Sequence, residues 1–422
     1  MELRAVKGMN DILPDEIGRW QRLEAIFRRT VELYGYREVR TPIVEPTQLF
    51  VRSIGEATDV VEKEMYSFQH HDNELTLRPE GTAGAARAYL EHKIHAREPV
   101  SRWYYLGPMF RGERPAKGRY RQFYQAGAEL YGEAGPLCDA EMIDMLARFL
   151  QQLGIEQVEV LVNSLGGPAT RLRYRQALLD FFTPRSAQLS EDSQRRLEKN
   201  PLRILDSKSP HDQALCAEAP SILDVLDDED RAHFDGLLAH LDALKTPYRV
   251  DPRLVRGLDY YTRTLFELRG TGGELGAQNA LGGGGRYDRM ISEFHGPETP
   301  CIGFALGLER LLLAMAPASE TSPGWVYVAP LGAEAQREAL RLASELRSAG
   351  IEARVDGRGQ KLNRMLPRAS NSGARFCVIV GEGELARGVV ALKDLQAHAQ
   401  EEPPRAQLVQ RLRELLGGEA TR

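Results

Sequence analysis

The sequence predicts an α+β body built on an antiparallel sheet flanked by helices, with a small helical insertion and a C-terminal α/β domain. Three observations predict it. Between Trp103 and Gly132, two aromatic-rich runs flank Pro115-Ala116-Lys117-Gly118, the pattern of a long β-hairpin. From Gly166 the chain turns basic and helical in rhythm. After Gly324, strand and helix patterns alternate regularly. The expected division is therefore a body formed by residues 1–166 and 231–318, an insertion at 167–230, a polar linker at 319–324, and a last domain at 325–422. A chain of 422 residues has the length for two to four cores.

Taken in order, Glu16 to Tyr34 places Ile17, Trp20, Leu23, Phe27 and Val31 at three- and four-residue steps, so a helix is expected there. Asp15 is the candidate cap and Gly35 the stop. Tyr36 to Val44 reads as one strand; Pro42 within it confines that strand to an edge, a plausible seam for a second copy. Tyr66–Phe68 and Glu74–Arg78 form a hairpin, with His70 and His71 in its turn. Helices follow at about 83–92 and 139–153. The insertion carries nine basic groups between Arg171 and Lys208 against five acidic ones, an excess that suits either a phosphate backbone or a solvated face. Thr262 to Arg269 is a strand. Gly282 to Gly285 reads as a turn, made a binding turn by the Arg286-Tyr287-Asp288 that follows. Gly303 to Arg310 is a strand entering a helix. Arg310 in that first helical turn opposes the helix dipole, a cost that a local anion offsets. The last domain expects strands at 325–329, 351–355, 375–380 and 389–392, and helices at 333–349, 362–370 and 408–416.

Bulk composition excludes several classes. At 42% apolar and 27% charged the chain is ordinary globular material, and a net charge of −5 announces no nucleic-acid partner globally. The four cysteines are widely spaced, which argues against a zinc site or a disulfide framework and for a reducing, cytoplasmic home. No stretch is long and apolar enough to cross a bilayer.

The candidate site starts from the hairpin. Along its second strand, alternation puts Arg119, Arg121, Phe123, Gln125, Gly127 and Glu129 on one face. Arginines at one end, a ring in the middle and a carboxylate at the far end suit a ligand with anionic, flat and cationic parts. Arg111 and Glu113 close the first strand nearby. Glu80 and Thr82, at a strand-to-helix junction, either cap that helix or face a ligand amine.

Three stretches resemble the signature motifs of class II aminoacyl-tRNA synthetases: Arg40-Thr41-Pro42 after a long helix, Phe110-Arg111-Gly112-Glu113 with Arg119 and Phe123, and Gly303 to Arg310. Leu254-Val255-Arg256-Gly257-Leu258-Asp259-Tyr260-Tyr261 and Gly283 to Asp288 are similar to the two histidine-specific motifs of histidyl-tRNA synthetases. The resemblance covers nearly the whole chain, including a C-terminal domain like that family's anticodon-binding domain. It implies ATP-dependent activation of L-histidine and its transfer to tRNA(His), with Mg²⁺ on the triphosphate and a homodimeric assembly. It further implies that Arg111, Glu113, Arg119, Phe123 and Arg310 bind ATP, and that Arg256 and Arg111 are catalytic. Glu80, Thr82, Gln125, Glu129, Arg256, Tyr260, Tyr261 and Tyr287 would bind histidine. Many bacterial members carry glutamine where this chain has Ala116, in a loop that reaches the tRNA acceptor end. The competing readings are a non-catalytic, histidine-sensing paralog that regulates ATP phosphoribosyltransferase, and an unrelated ATP-dependent ligase. The intact arginines and the C-terminal domain weigh against both.

Overall fold

The computed structural model describes residues 2–55, 58–271, 279–316, 324–359 and 361–417. It divides into two compact units, Met1–Pro317 and Ala318–Arg422. The expected linker lies, Gly324 apart, outside the described residues.

In the first unit, α1 (Ile17–Leu33) buries Trp20, Leu23, Phe27 and Val31, the stripe that its spacing dictates. Asp15 does not cap it: Glu16 holds the cap position, without a side-chain bond. Gly35 ends it at φ +82°. The single strand expected at 36–44 is two, β1 (Arg37–Glu38) and β2 (Val44–Pro46), each in a different sheet. Pro42 lies in the break, where its missing N–H costs no ladder bond. Next come α2 (Thr47–Ile54), β3 (Tyr66–His70) and β4 (Asn73–Leu77), the last two forming the expected hairpin with His71 left-handed at its turn. Then follow α3 (Thr82–Glu91), the long hairpin β5 (Ser101–Phe110) and β6 (Gln122–Tyr131), α4 (Pro136–Gln152) and β7 (Val158–Ser164).

The insertion contains α5 (Pro168–Phe182), α6 (Glu191–Lys199) and α7 (Pro210–Ala217). Buried Asp212 ties it together, accepting from the hydroxyls of Ser190, Ser193 and Ser207 and from the Ser190 N–H. Burial alone would raise that carboxyl; the three serines outweigh it and hold the pKa at about 2. Then α8 (Asp228–Leu244), capped by Asp227, returns to pack on α4. The unit closes with β8 (Arg249–Val250), β9 (Thr262–Gly270), β10 (Ala280–Arg286), α9 (Met290–Glu293), β11 (Cys301–Gly307) and α10 (Leu308–Ala314).

Among the described residues, eight strands form the main sheet in the order β1-β5-β6-β11-β10-β9-β7-β8. Its six central strands are antiparallel as expected, but the two-residue edge strands β1 and β8 pair parallel, so the sheet is mixed. One face carries Phe27, Leu146, Phe149, Leu237, Phe266 and Phe304 in a core beneath α1, α4 and α8. On the other face a row runs straight across five strands: Tyr105, Gly127, Ala305, Gly283 and Glu267. Large groups stand at its ends and almost none in its middle.

The four glycines expected as a turn are instead the centre of β10, paired on both sides. A Cβ on Gly283 would press on the Phe266 carbonyl at 2.5 Å, and one on Gly285 would meet Tyr261 Cδ1 at 3.0 Å. Close approach of neighbouring chains, and not turn geometry, demands glycine here.

The second unit has the order β12 (Val326–Leu331), α11 (Ala333–Ser348), β13 (Ala353–Val355), α12 (Leu362–Asn371), β14 (Phe376–Gly381), α13 (Glu382–Ala386), β15 (Ala391–Asp394), β16 (Gln400–Glu401) and α14 (Leu408–Gly417). Its sheet runs β13-β12-β14-β15-β16, parallel through β14 and antiparallel beyond. All four cysteines are buried and unpaired. No described helix is long and apolar enough to cross a membrane.

Candidate active site

Above the glycine-floored middle of the main sheet lies a cleft with about 150 Å³ of free space. The hairpin brings Arg111, Glu113, Arg119 and Phe123 to one end of it. Arg310 enters from α10 and Arg256 from the segment before β9. These four arginines, drawn from positions spread over about two hundred residues, share one cavity. Burial, and next the positive charges of Arg119, Arg111 and Arg256, lowers the pKa of Arg310, although Glu113 opposes the shift. Four guanidinium groups in one cleft suit an anionic ligand.

Each cation is held by the fold. Arg111 donates to the Pro79 carbonyl at 2.9 Å, with its guanidinium 5.3 Å from the Phe123 ring centre. Arg119 pairs with Glu113 at 2.5 Å. Arg310 donates to the carbonyls of Gly118 (3.0 Å) and Ala280 (2.8 Å), so it spans the hairpin loop and β10. Arg256 pairs with Glu267, which also accepts from Arg269 at 2.6 Å. In the hairpin loop Ala116 and Arg119 exchange main-chain hydrogen bonds around Gly118, which is left-handed at φ +71°.

The opposite end is tight and acidic. Glu80 is fully enclosed and does both things expected of it as alternatives. Its carboxylate accepts from the Thr82 and Ala83 N–H groups at 2.7 and 2.8 Å, capping α3, and it lines the cleft. Thr82, Gln125, Tyr260, Tyr261 and Tyr287 line the same end. Gln125 Oε1 is buried with no hydrogen-bond partner within the protein, on a residue that lines the cleft.

Glu129 differs from expectation. It lies behind the cleft wall with no exposed surface, accepting from Tyr105 at 3.0 Å and from Tyr287 at 2.5 Å. Gly303, opposite it across the strands, leaves the space that its carboxylate fills: a Cβ there would fall 2.6 Å from Glu129 Cδ. A ligand reaches Glu129 only by sharing or displacing the Tyr287 hydroxyl. Burial pushes its pKa up to about 8, against the pull of the Tyr287 hydrogen bond. An unfolded chain releases that proton near 4.5. Between those values folding takes up a proton. This group's contribution to stability is therefore whole below about pH 4.5 and is lost as pH rises through about 8. Glu129→Gln is expected to flatten that slope, at most about 1.4 kcal/mol per pH unit, in unfolding free energies measured from pH 5 to 8. An unchanged slope would place the proton elsewhere.

Two residues grouped with the site leave it. Arg121 turns away from the ligand face and donates to the main-chain carbonyls of Glu113 and Lys7, because regular alternation begins only at Gln122. Arg286 is fully buried between Asp139 and Asp288 and serves the fold. The sequence did not single out Glu309, which lines the cleft, nor Tyr105 and Glu267, which stand behind it bonded to Glu129 and Arg256. Glu309 accepts from the Tyr124 N–H at 2.9 Å; burial pushes its pKa up to about 7. Stepping back by twos from Arg111 through Met109 and Gly107 would have found Tyr105.

Among the described residues no three His, Cys, Asp or Glu side chains cluster as a metal site. Seven of the nine basic groups of the insertion are tied within the chain. Arg196 and Lys199 reach Asp59 and Glu62, and Arg203 reaches Asp259. Arg173 and Arg195 pair with Asp227 and Asp192, while Arg171 and Arg185 donate to carbonyls. The excess charge is thus mostly neutralised within the protein.

Comparison with known proteins gives one family. A family model described as "Histidyl-tRNA synthetase" matches residues 8–311, and one described as "Anticodon binding domain" matches 325–415. A relative in Sorangium cellulosum, "Histidine--tRNA ligase", is 63% identical over 96% of this chain and 94% of its own. A relative of the same name in Geobacter sulfurreducens is 48% identical over 95% of this chain and 97% of its own. The solved apo histidyl-tRNA synthetase of S. aureus aligns with a TM-score of 0.81 at 35% identity, covering 97% of this chain and all of that one.

Proposed function

The chain belongs to the histidyl-tRNA synthetase family, and we propose that the cleft performs that family's reaction with the side chains assembled in it. The activity is that of a histidine–tRNA ligase. ATP activates L-histidine to histidyl-adenylate with release of pyrophosphate, and histidine then passes to the 3′ end of tRNA(His). The relatives' names favour this over the regulatory paralog.

The observation that carries the assignment of roles is the convergence of four guanidinium groups beside a tight, acid-lined pocket. Attack of the histidine carboxylate on the α-phosphate brings two anions together, so catalysis is positioning and charge stabilisation. Arg111 and Arg256 face the cleft from different elements and flank the reacting phosphate. Phe123 and Arg310 sandwich the adenine, with Glu113 at its amino group and Arg119 on phosphate. Glu80, Thr82 and the unpartnered Gln125 Oε1 take the substrate's α-amine. Tyr260, Tyr261 and Tyr287 wall the imidazole, and Glu129 fixes the Tyr287 hydroxyl at the blind end. A site that bonds a polar ring rejects isosteres strongly, which removes the need for editing. Magnesium would arrive on the triphosphate, held by phosphate oxygens and water, in keeping with its reluctance to dehydrate.

The assembly we infer is a homodimer. The small sheet β2-β4-β3 exposes Ile43 and Val44 at or beside one edge strand and Phe68 on the other, and apolar residues on open edge strands favour pairing. A cytoplasmic home accords with four unpaired cysteines.

Purified protein is expected to exchange pyrophosphate into ATP only when histidine is present, and to charge tRNA(His) transcripts. Folded protein without histidine-dependent exchange would overturn the reading; exchange without charging would confine it to the first half-reaction.

A further inference from the structure

The segment that delivers Arg256, Tyr260 and Tyr261 to the cleft has no ladder of its own: residues 251–261 form turns and irregular chain between β8 and β9. Main-chain bonds hold it at two points, from the Asp251 N–H to Val162 and from the Asp259 N–H to Ile54, and side chains from elsewhere hold the rest. Asn163, on β7, donates to the carbonyls of Pro252 and Leu254 at 3.2 and 3.0 Å. Beyond Arg256 the grip changes hands. Arg203, in the turn after α6, donates to the Gly257 carbonyl at 3.1 Å and to the Asp259 carboxylate at 3.0 Å. Arg171, on α5, donates to the Tyr261 carbonyl at 3.0 Å. Asn200 adds a bond to Asp259 at 3.2 Å. All three of these residues belong to the helical insertion.

The insertion thus holds the main chain on both sides of Tyr260 and directly beside Arg256. The arginine grip is charge-assisted; the Arg203 side chain is only 14% exposed, and its bond to Asp259 and the Arg171 bond to the Tyr261 carbonyl are partly buried, while the Gly257 carbonyl is exposed. We propose that Arg203 and Arg171 are positioning residues for adenylate formation: the insertion, through these two side chains, sets the aim of Arg256 and Tyr261 before any tRNA is bound. The proposal rests on the ligase reading above. It gives the insertion a part in the half-reaction that involves no nucleic acid.

The test is histidine-dependent pyrophosphate exchange without tRNA, with turnover expressed per active site by titrating the adenylate burst. Wild type, Arg203→Ala, Arg203→Lys and Arg195→Ala are compared; Arg195 is an exposed insertion residue that pairs with Asp192. Arg203→Ala is expected to lower kcat per titrated site by about 10- to 100-fold, the scale of a slight misplacement of reacting groups. Arg203→Lys should recover part of this loss and Arg195→Ala should match wild type. If Arg203→Ala does not fold, Arg203→Gln, which keeps the stem, replaces it under the same criteria. Unchanged kcat per site with fewer active sites would make the contact merely structural and overturn the proposal. Normal exchange with impaired tRNA charging would overturn it in favour of an RNA contact. A wild type inactive in exchange would sink the ligase reading itself, a result distinct from either.

Discussion

Arg256→Ala is expected to slow histidine-dependent pyrophosphate exchange by roughly 10²- to 10³-fold, the usual effect of removing one preorganised charge donor at a reacting centre. Arg256 lines the cleft with Arg111, Arg119 and Arg310, yet it comes from a different part of the chain and approaches along β9 and β10. Its guanidinium pairs with Glu267. Removing a partner from a buried ion pair usually costs stability. Here Glu267 keeps Arg269 at 2.6 Å, so the loss should fall on catalysis more than on folding. Arg256→Lys keeps the charge but not the planar fork and should recover only part of the rate. The assay is isotope exchange beside a thermal melt of each variant. A melting temperature near wild type with a collapsed rate is the expected pair of results, and a wild-type rate would remove Arg256 from the chemistry.

Gly284→Ala is expected to cost more than about 4 kcal/mol of stability, the range reserved for backbone collision and gross overpacking. The new methyl would meet the Gly303 carbonyl oxygen, Phe304 Cα at 2.7 Å and Phe266 Cζ at 2.8 Å. Two of those are main-chain atoms of the neighbouring strand, and β10 is bonded on both sides, so neither chain can step aside without breaking a ladder. Gly257→Ala offers the contrast. Nothing lies within 4 Å of the position its methyl would take, so it should fold normally. Circular dichroism melts of the two variants decide the matter: a Gly284→Ala protein that melts with wild type would contradict the pairing of β10 between β9 and β11.

The helices α1 and α4, the long hairpin and most elements after Trp325 were legible because their side chains announce them, whereas α8, β7 and β8 were not expected. The apolar stripe from Trp20 to Val31, the hairpin aromatics and the strand–helix alternation after Trp325 are all periodic signals. The centre of the main sheet was not legible for the same reason in reverse. Gly282 to Gly285 present no side chains, so a strand made of them shows no period of two and reads as a turn. Arg121 and Arg286 were placed with the site because their chemistry suits it; only coordinates show that one precedes the regular strand and the other closes a buried pair with Asp139. The charge of the insertion misled similarly, since a count of arginines does not reveal which carbonyls and carboxylates they already hold. Arg111, Arg119 and Arg310 were singled out by local pattern and Arg256 through resemblance to a family, while the cleft they share is a tertiary fact that no local pattern contains.

The four interior thiols have a practical corollary. Burial raises Cys138 to about 12, Cys216 to about 11 and Cys377 to about 12, and pushes Cys301 well above its ordinary value. At neutral pH nearly all of that sulfur stays protonated and out of reach of maleimides and peroxide alike. One cysteine introduced on the surface would therefore take a fluorophore or spin label selectively in the otherwise native sequence, and movements of the insertion during adenylate formation could be followed without first stripping the protein of its own sulfhydryls.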